Sequence, residues 1–224
     1  MHDTTTITGP ALSAALRAGT RAEHAAAKET PFVEHLLNGR LDLAAYTDLA
    51  VQQHAIYTAL ESAGDHALQH DPDAAGVVLD ELRRVPSIEA DLHHLLGPQW
   101  RSRARVLDAT RAYADRLLQT GSRLTLWVAH AYTRYLGDLS GGQAIHRALQ
   151  RHYGLADDGL SFYRFTAVPR LKPLKDLYRE RLDALPLTTS QRRDVVAEAQ
   201  AAFRHNRAVL AALGARHPGP ADAR

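Results

Sequence analysis

The sequence predicts an all-α protein, a single-domain helical bundle, and three observations carry that prediction. Apolar residues recur at helical spacing along most of the chain, and no stretch alternates in the manner of a strand. Within a hydrophobic content of 45%, alanine and leucine dominate over the β-branched residues, a balance that favours helices. The length of 224 residues suits one domain of ordinary size with a sizeable core, and neither a repeat nor a second compositional block divides it.

The elements follow in order. A first helix is expected from Pro10 or Ala11 to about Lys28, with proline suited to its opening turn and Pro31 beyond its end. A short helix to Leu37 closes at Asn38-Gly39, a turn and capping signal. The next runs from about Asp42 to Ala63 and stops near Gly64. Helices at about 74–84 and 87–96 are separated by Pro86, and Gly97-Pro98 ends the second. Another covers about 104–119. A long helix then spans about Arg123 to Gln150, followed by a loop over 154–170. Helices at about 171–184 and 188–213 complete the pattern, the last capped by Thr188 or Thr189. Residues 1–10 and 214–224 are expected to be flexible ends of a helical domain at 11–213.

The formal net charge of +2 is unevenly distributed. Residues 1–100 carry 6 basic and 14 acidic side chains, and residues 101–224 carry 21 basic and 11 acidic. The arginines of the second half are interspersed with acids and apolar residues and form no DNA-binding motif, so nucleic acid is not the expected partner. No run of about 18 apolar residues is present to span a membrane. The polar start, Met1 to Gly9, lacks the basic and apolar regions of a signal peptide. A cytoplasmic protein is expected. There is no cysteine, and Met1 is the only methionine. Disulfides, zinc–thiolate sites and thiolate or thioether metal ligands are therefore excluded.

The most informative segment lies inside the long helix: Ala131-Tyr132-Thr133-Arg134-Tyr135-Leu136-Gly137-Asp138-Leu139-Ser140-Gly141-Gly142-Gln143. Three glycines in six residues weaken a helix, each by ~1 kcal/mol relative to alanine. Gly137 and Gly141 are one turn apart, which strips one face of side chains and lets a flat group approach the backbone. Glycine runs are also where helices kink. One carboxylate, Asp138, sits among them, with Arg134 a turn earlier. On spacing alone, a helix crossing through small residues and an Asp138–Arg134 salt bridge would also account for the pattern.

This string resembles the distal-helix signature of the heme oxygenase family. The resemblance, extending over about residues 11–213, implies heme b held between a proximal helix and a kinked distal helix. It also implies degradation of that heme by O2 and electrons to biliverdin, carbon monoxide and ferrous iron, so that heme is both cofactor and substrate. Gly137, Ser140, Gly141 and Gly142 would face the macrocycle. Asp138 would hold a water beside the iron, and Arg134, Tyr57 and Asn206 match the family's distal hydrogen-bonding positions. Taken alone, the last two read as ordinary packed polar residues.

The iron ligand has to be found among histidine and tyrosine. The chain has 13 histidines, so histidine by itself says little. Arg17 precedes His24 by seven residues, nearly on one helix face and roughly 10.5 Å away along the axis. That is about the span from a porphyrin's iron to its propionate edge. By itself the pair is equally a solvated histidine and a surface arginine. The segment Thr20-Arg21-Ala22-Glu23-His24, followed by Pro31-Phe32, resembles the family's proximal helix, which makes His24 the implied axial ligand and Arg17 an implied propionate partner. The family commonly has a hydrogen-bonding residue, often acidic, one turn after this histidine. Here that position is Lys28, which donates but cannot accept, so Glu29, a water or nothing remains as acceptor for the other ring N–H.

Lys175 and Arg179, one turn apart, form a cationic pair suited to carboxylates at a pocket edge or to a solvated helix face. Lys175-Asp176-Leu177-Tyr178-Arg179 resembles the family's propionate-binding helix, and Tyr132 its propionate-contacting tyrosine. His93-His94 and the remaining histidines are read as surface residues without a partner at metal-ligand spacing. The partners implied are O2 and a ferredoxin or flavoprotein reductase as electron donor, and the expected state is a monomer. A heme carrier or store is the alternative function, though it needs neither Asp138 nor the glycine face. An aerobic assay with heme and an electron donor separates the two.

Overall fold

The computed structural model describes residues 10–168 and 170–220. Eleven α-helices and three short 3-10 turns make up the regular structure, and no strand occurs among the described residues. The helices are α1 (Leu12–Gly19), α2 (Arg21–Lys28), α3 (Pro31–Leu37), α4 (Leu43–His70), α5 (Val85–Leu96), α6 (Trp100–Arg103), α7 (Asp108–Thr120), α8 (Leu124–Asp138), α9 (Gly142–Tyr153), α10 (Leu171–Asp183) and α11 (Thr189–Arg216). Residues 1–9 of the expected N-terminal segment lie outside the described residues, as do 221–224 at the other end.

Two 28-residue helices, α4 and α11, form the frame; each is about 42 Å long. α4 packs on α5 and α7, and α11 packs on α7, α8 and the α1–α3 segment. The expected cap of the last helix is Thr188. Its hydroxyl accepts from Gln191 N, and the Gln191 side chain accepts from Thr188 N, a reciprocal capping box. α11 continues to Arg216, past the expected end at 213. Arg216 Nε and His217 Nε2 both reach Asp48 of α4, at 2.7 and 2.8 Å. The segment expected to begin a tail at 214 is thus partly helical and tied down.

Three local expectations are overturned. The first helix is two helices: at Thr20 (φ −108°, ψ 10°) the hydroxyl donates to Leu16 O at 2.8 Å, competing with the backbone ladder. Gly19 there lies against Val196 of α11, where a Cβ would collide, and Gly19 O accepts from Gln200 Nε2 at 2.8 Å. α4 does not stop at Gly64. A Cβ at that position would be 3.0 Å from Trp127 Cζ2, so the glycine admits an indole and the helix continues. The helix expected at 74–84 is replaced by 3-10 turns at Pro72–Gly76 and Asp80–Leu82. The Asp71 side chain caps the first of these, and Glu61 Oε1 accepts from Arg84 N and Val85 N to start α5. The long glycine-bearing helix kinks as its glycines imply, dividing into α8 and α9 around Leu139–Gly141. Gly141 N still reaches Gly137 O at 2.7 Å, so the axis bends without reversing.

Candidate active site

A cavity of about 620 Å³ opens between α2, α3, α4, the α8–α9 bend and α11. The sequence-predicted residues His24, Arg134, Gly137, Asp138, Ser140, Gly141, Gly142 and Asn206 all line it. Tyr57 is fully buried behind Asp138. The remaining wall is largely aliphatic, from Val33, Leu36, Leu49, Ile56 and Leu210.

His24 is presented by α2 as an exposed ring, its edge against Phe203 of α11 with centroids 6.0 Å apart. Partial burial, followed by the charge of Lys28, holds its pKa below the ordinary histidine value. The neutral imidazole is the form that ligates a metal. Among the described residues the ring has no hydrogen-bond acceptor, and Glu29 is exposed.

The Asp138–Arg134 salt bridge that the spacing alone would also allow does not form. The Tyr57 hydroxyl donates to Asp138 Oδ2 from α4. Arg134 Nη1 instead donates to Asn206 Oδ1 at 2.8 Å, and its guanidinium sits 5.0 Å from the Tyr57 ring centroid. Burial drives the Asp138 carboxyl well above the usual carboxylate range, because an ion in that setting loses its hydration. The four candidate polar residues thus form two adjoining pairs, Tyr57–Asp138 and Arg134–Asn206.

The glycines divide by environment. A Cβ at Gly137 would meet no atom within 4 Å, and one at Gly141 only Gly137 O at 3.3 Å. Gly142 differs, since its Cβ would lie 3.1 Å from Tyr163 Cδ1. Gly137 and Gly141 thus form the open face, while Gly142 seats the Tyr163 ring beneath the bend.

Arg17, Tyr132, Lys175 and Arg179 lie outside the cavity lining. α1 packs against α10, tied by Ser13 N and Oγ to Asp183 at 2.7 and 2.8 Å. Burial raises the Tyr132 phenol pKa, while the charges of Arg179 and Arg17 oppose that rise, which groups the three together. Arg179 pairs with Asp176 at 2.9 Å and Lys175 is half-buried.

Three features of the site suit heme. The open Gly137–Gly141 face is a cradle that side chains would fill. His24 supplies a neutral nitrogen at the cavity. Arg134 Nε is buried without a partner among the described residues, as expected of a donor awaiting a water or ligand. The family model for heme oxygenase matches residues 10–212.

The chain belongs to the heme oxygenase family. It is 35% identical to heme oxygenase 1 of Synechocystis over 196 residues, 87% of this chain and 81% of that protein. It is 38% identical to heme oxygenase of Takifugu rubripes over 197 residues, 87% of this chain and 71% of that one. The crystal structure of Synechocystis heme oxygenase-1 in complex with heme superposes with a TM-score of 0.87 at 33% identity, covering 92% of this chain and 94% of that one. Heme oxygenase 2 of Chlamydomonas reinhardtii, solved without heme, gives 0.83 at 27% identity, with 95% and 100% covered. The family degrades heme to biliverdin, carbon monoxide and ferrous iron, and that is this chain's enzymatic activity. No described helix is long and apolar enough to cross a membrane.

Sequence reasoning missed several residues. Gln52 and Gln53 of α4, Thr133 and Phe203 also line the cavity. Phe203 stands three residues before Asn206 on α11, a spacing that puts both on one face and could have signalled it. His130 was read as a surface histidine, yet it is completely buried, with Nε2 on Glu198 Oε1 at 2.8 Å. Arg116 clasps the same carboxylate with bonds of 2.8 and 2.6 Å. Burial alone would raise the Glu198 pKa, but these two partners hold it at about 2.

Proposed function

We propose that heme enters the cavity with His24 as its axial ligand and the Gly137–Gly141 face against its other side. Bound heme supplies the iron at which oxygen is activated and the macrocycle that is oxidised. Ser140 and Gly142 flank the open face. Arg17, Tyr132, Lys175 and Arg179 hold the propionates, with Arg179 exchanging its Asp176 partner for a heme carboxylate. Both contacts are charge-assisted, and the guanidinium fork suits a carboxylate.

Asp138 is the group that holds and moves a proton. Tyr57 fixes Oδ2, leaving Oδ1 for a water in the cavity. A carboxyl whose pKa burial raises well above the usual range is suited to hold a proton, pass it through that water and be reset from solvent. Arg134 acts as a positioning residue: it holds Asn206, lies over the Tyr57 ring and so keeps the donor to Asp138 in place. The observation that carries this assignment is a histidine and an aspartate on the walls of one glycine-faced cavity.

Electrons come from an external donor, a ferredoxin or flavoprotein reductase. The chain acts as a cytoplasmic monomer, a single domain over residues 11–213. The His24→Ala variant tests the ligand assignment. It is expected to lose the histidine-ligated heme spectrum and turnover while the apo-protein's helical circular dichroism survives, and added imidazole should restore both. A wild-type heme spectrum in the variant would assign ligation to another residue.

A further inference from the structure

One buried carboxylate lies outside the cavity lining and takes no part in the proton path. Asp91, on α5, is 1% exposed. Its Oδ1 accepts from Ser161 N at 2.7 Å, and its Oδ2 accepts from Phe162 N at 2.8 Å. Both donors belong to a 3-10 turn at Ser161–Tyr163, inside the segment that the sequence shows only as loop. So short a turn leaves its first N–H groups without an internal partner, and a carboxylate that meets two of them is a charge-assisted tie. Arg84, also buried, adds a second hold on the same stretch. Its Nη1 donates to Phe162 O at 3.4 Å and to Arg164 O at 3.1 Å, and its guanidinium lies 4.0 Å from the Phe165 ring centroid.

Two neighbouring side chains of that turn reach the two halves of the Tyr57–Asp138 pair. The Phe162 ring meets the Tyr57 ring edge-on, with centroids 5.4 Å apart and planes 68° from parallel. The Tyr163 ring lies beneath Gly142, where a Cβ would be 3.1 Å from Tyr163 Cδ1 and 3.8 Å from Asp138 Cβ. Tyr163 O accepts from Gln143 Nε2 at 2.9 Å, which fixes the start of α9 to the same turn. The phenol that donates therefore leans on Phe162, and the bend beside the carboxyl that accepts rests on Tyr163. Tyr57 and Asp138 come from helices that are far apart in sequence, and this turn is a support they share.

We infer that Asp91 is a positioning residue for the Tyr57–Asp138 pair: by fixing the Ser161–Tyr163 turn it holds Phe162 against the donor and Tyr163 under the bend beside the acceptor. The inference rests on the proton role proposed for Asp138, since only that role makes the placement matter to turnover. Close-packed rings transmit a displacement and do not absorb it. A misplacement of about 1 Å, caused far from the chemistry, can cost about a hundredfold in rate. Asp91→Asn keeps the side chain's size but turns one acceptor oxygen into an amide donor facing a backbone N–H, so one of the two ties is lost. A carboxylate that merely clasped a loop would change stability alone.

The full-length protein carrying Asp91→Asn, Phe162→Leu or both tests this, with Thr188→Ala as a control that removes a helix cap outside the cavity lining. Asp91→Asn should form biliverdin about tenfold to a hundredfold more slowly, with heme affinity and the Soret band as in wild type. Phe162→Leu should do the same with the Asp91 ties intact, and the double variant should be no slower than the slower single one. In the apo-protein, the Tyr57 hydroxyl proton gives a downfield NMR resonance through its bond to Asp138. That resonance should move upfield or vanish by exchange in both single variants and persist in Thr188→Ala. An Asp91→Asn protein that melts earlier but keeps the resonance and the wild-type rate would reduce Asp91 to a loop clasp and overturn the inference. If Asp91→Asn does not fold, Phe162→Leu decides: an unchanged Tyr57 resonance there overturns it equally. Loss of the resonance with turnover unchanged would uphold the placement and remove the proton role of Asp138 instead.

Discussion

The hydroxyl of Tyr57 donates to Asp138 across 81 positions of sequence, joining the middle of α4 to the last residue of α8. A phenol buried completely at one end and a carboxyl facing a cavity at the other define where one proton resides. Asp138→Ala should therefore bind heme nearly as well as wild type but give little or no biliverdin. Heme affinity and product yield, measured on the same preparation, check this, and full pigment production by the variant would remove Asp138 from the mechanism.

The same carboxyl makes apo-protein stability depend on pH. Its folded pKa is raised by burial above an unfolded value of about 3.9. Below the unfolded value the group is neutral in both states and its full contribution is present. As pH rises toward the folded value the unfolded chain ionises first, and stability is lost. Asp138→Asn, which carries no charge, should match wild type near pH 4 and become progressively more stable above it. Urea midpoints across pH 4–8 measure the gap, and a gap that widened toward acid would contradict the sign.

Gly137 and Gly142 should respond oppositely to alanine. Gly137 has open space and a helical setting, so Gly137→Ala should stabilise the apo-protein by about 0.5–1 kcal/mol. Its methyl group would occupy the open face and weaken heme binding. Gly142→Ala meets Tyr163 Cδ1 at 3.1 Å and should lower stability. Thermal melts with and without hemin distinguish the two.

Replacing Lys175 and Arg179 together by alanine should mix the biliverdin regioisomers more than it lowers heme affinity. Partly exposed ion pairs are worth only ~0–1 kcal/mol each, and Arg179 gives up an existing Asp176 contact to make a new one. Chromatography of the product reads the outcome. A single unchanged isomer from the double variant would make the pair a solvated face.

Lys28 borders the cavity one turn after His24, where it cannot accept the ring N–H. The expected result is a weakly donating neutral imidazole and a low Fe–His stretching frequency in the ferrous protein. Lys28→Glu should raise that frequency by placing a carboxylate within reach. Equal resonance Raman spectra for the two proteins would show that the charge at 28 does not tune the ligand.

What the sequence made legible was what local chemistry decides. The all-helical class, the Thr188 cap, the end of α5 before Gly97 and the bend at the glycine run all follow from residues close together in the chain. The cavity residues were recognisable because a long motif fixed them. Partners supplied by distant segments were not legible. Spacing offered Arg134 a salt bridge to Asp138 four positions away, yet it binds Asn206, 72 positions away. Gly64 looked like a stop because nothing nearby announced the Trp127 ring. His130 was one histidine among 13 until α11 brought Glu198 against it.

The corner at Thr20 divides labour along the N-terminal segment. Arg17 and His24 belong to separate helices, one anchored to Asp183 of α10 and the other resting against Phe203 of α11. Both helices rest on α11, but the proposed grip on the propionates has a second support in α10. A substitution that loosens the Ser13–Asp183 tie should therefore move the ring-opening position before it changes the strength of the proposed iron ligand.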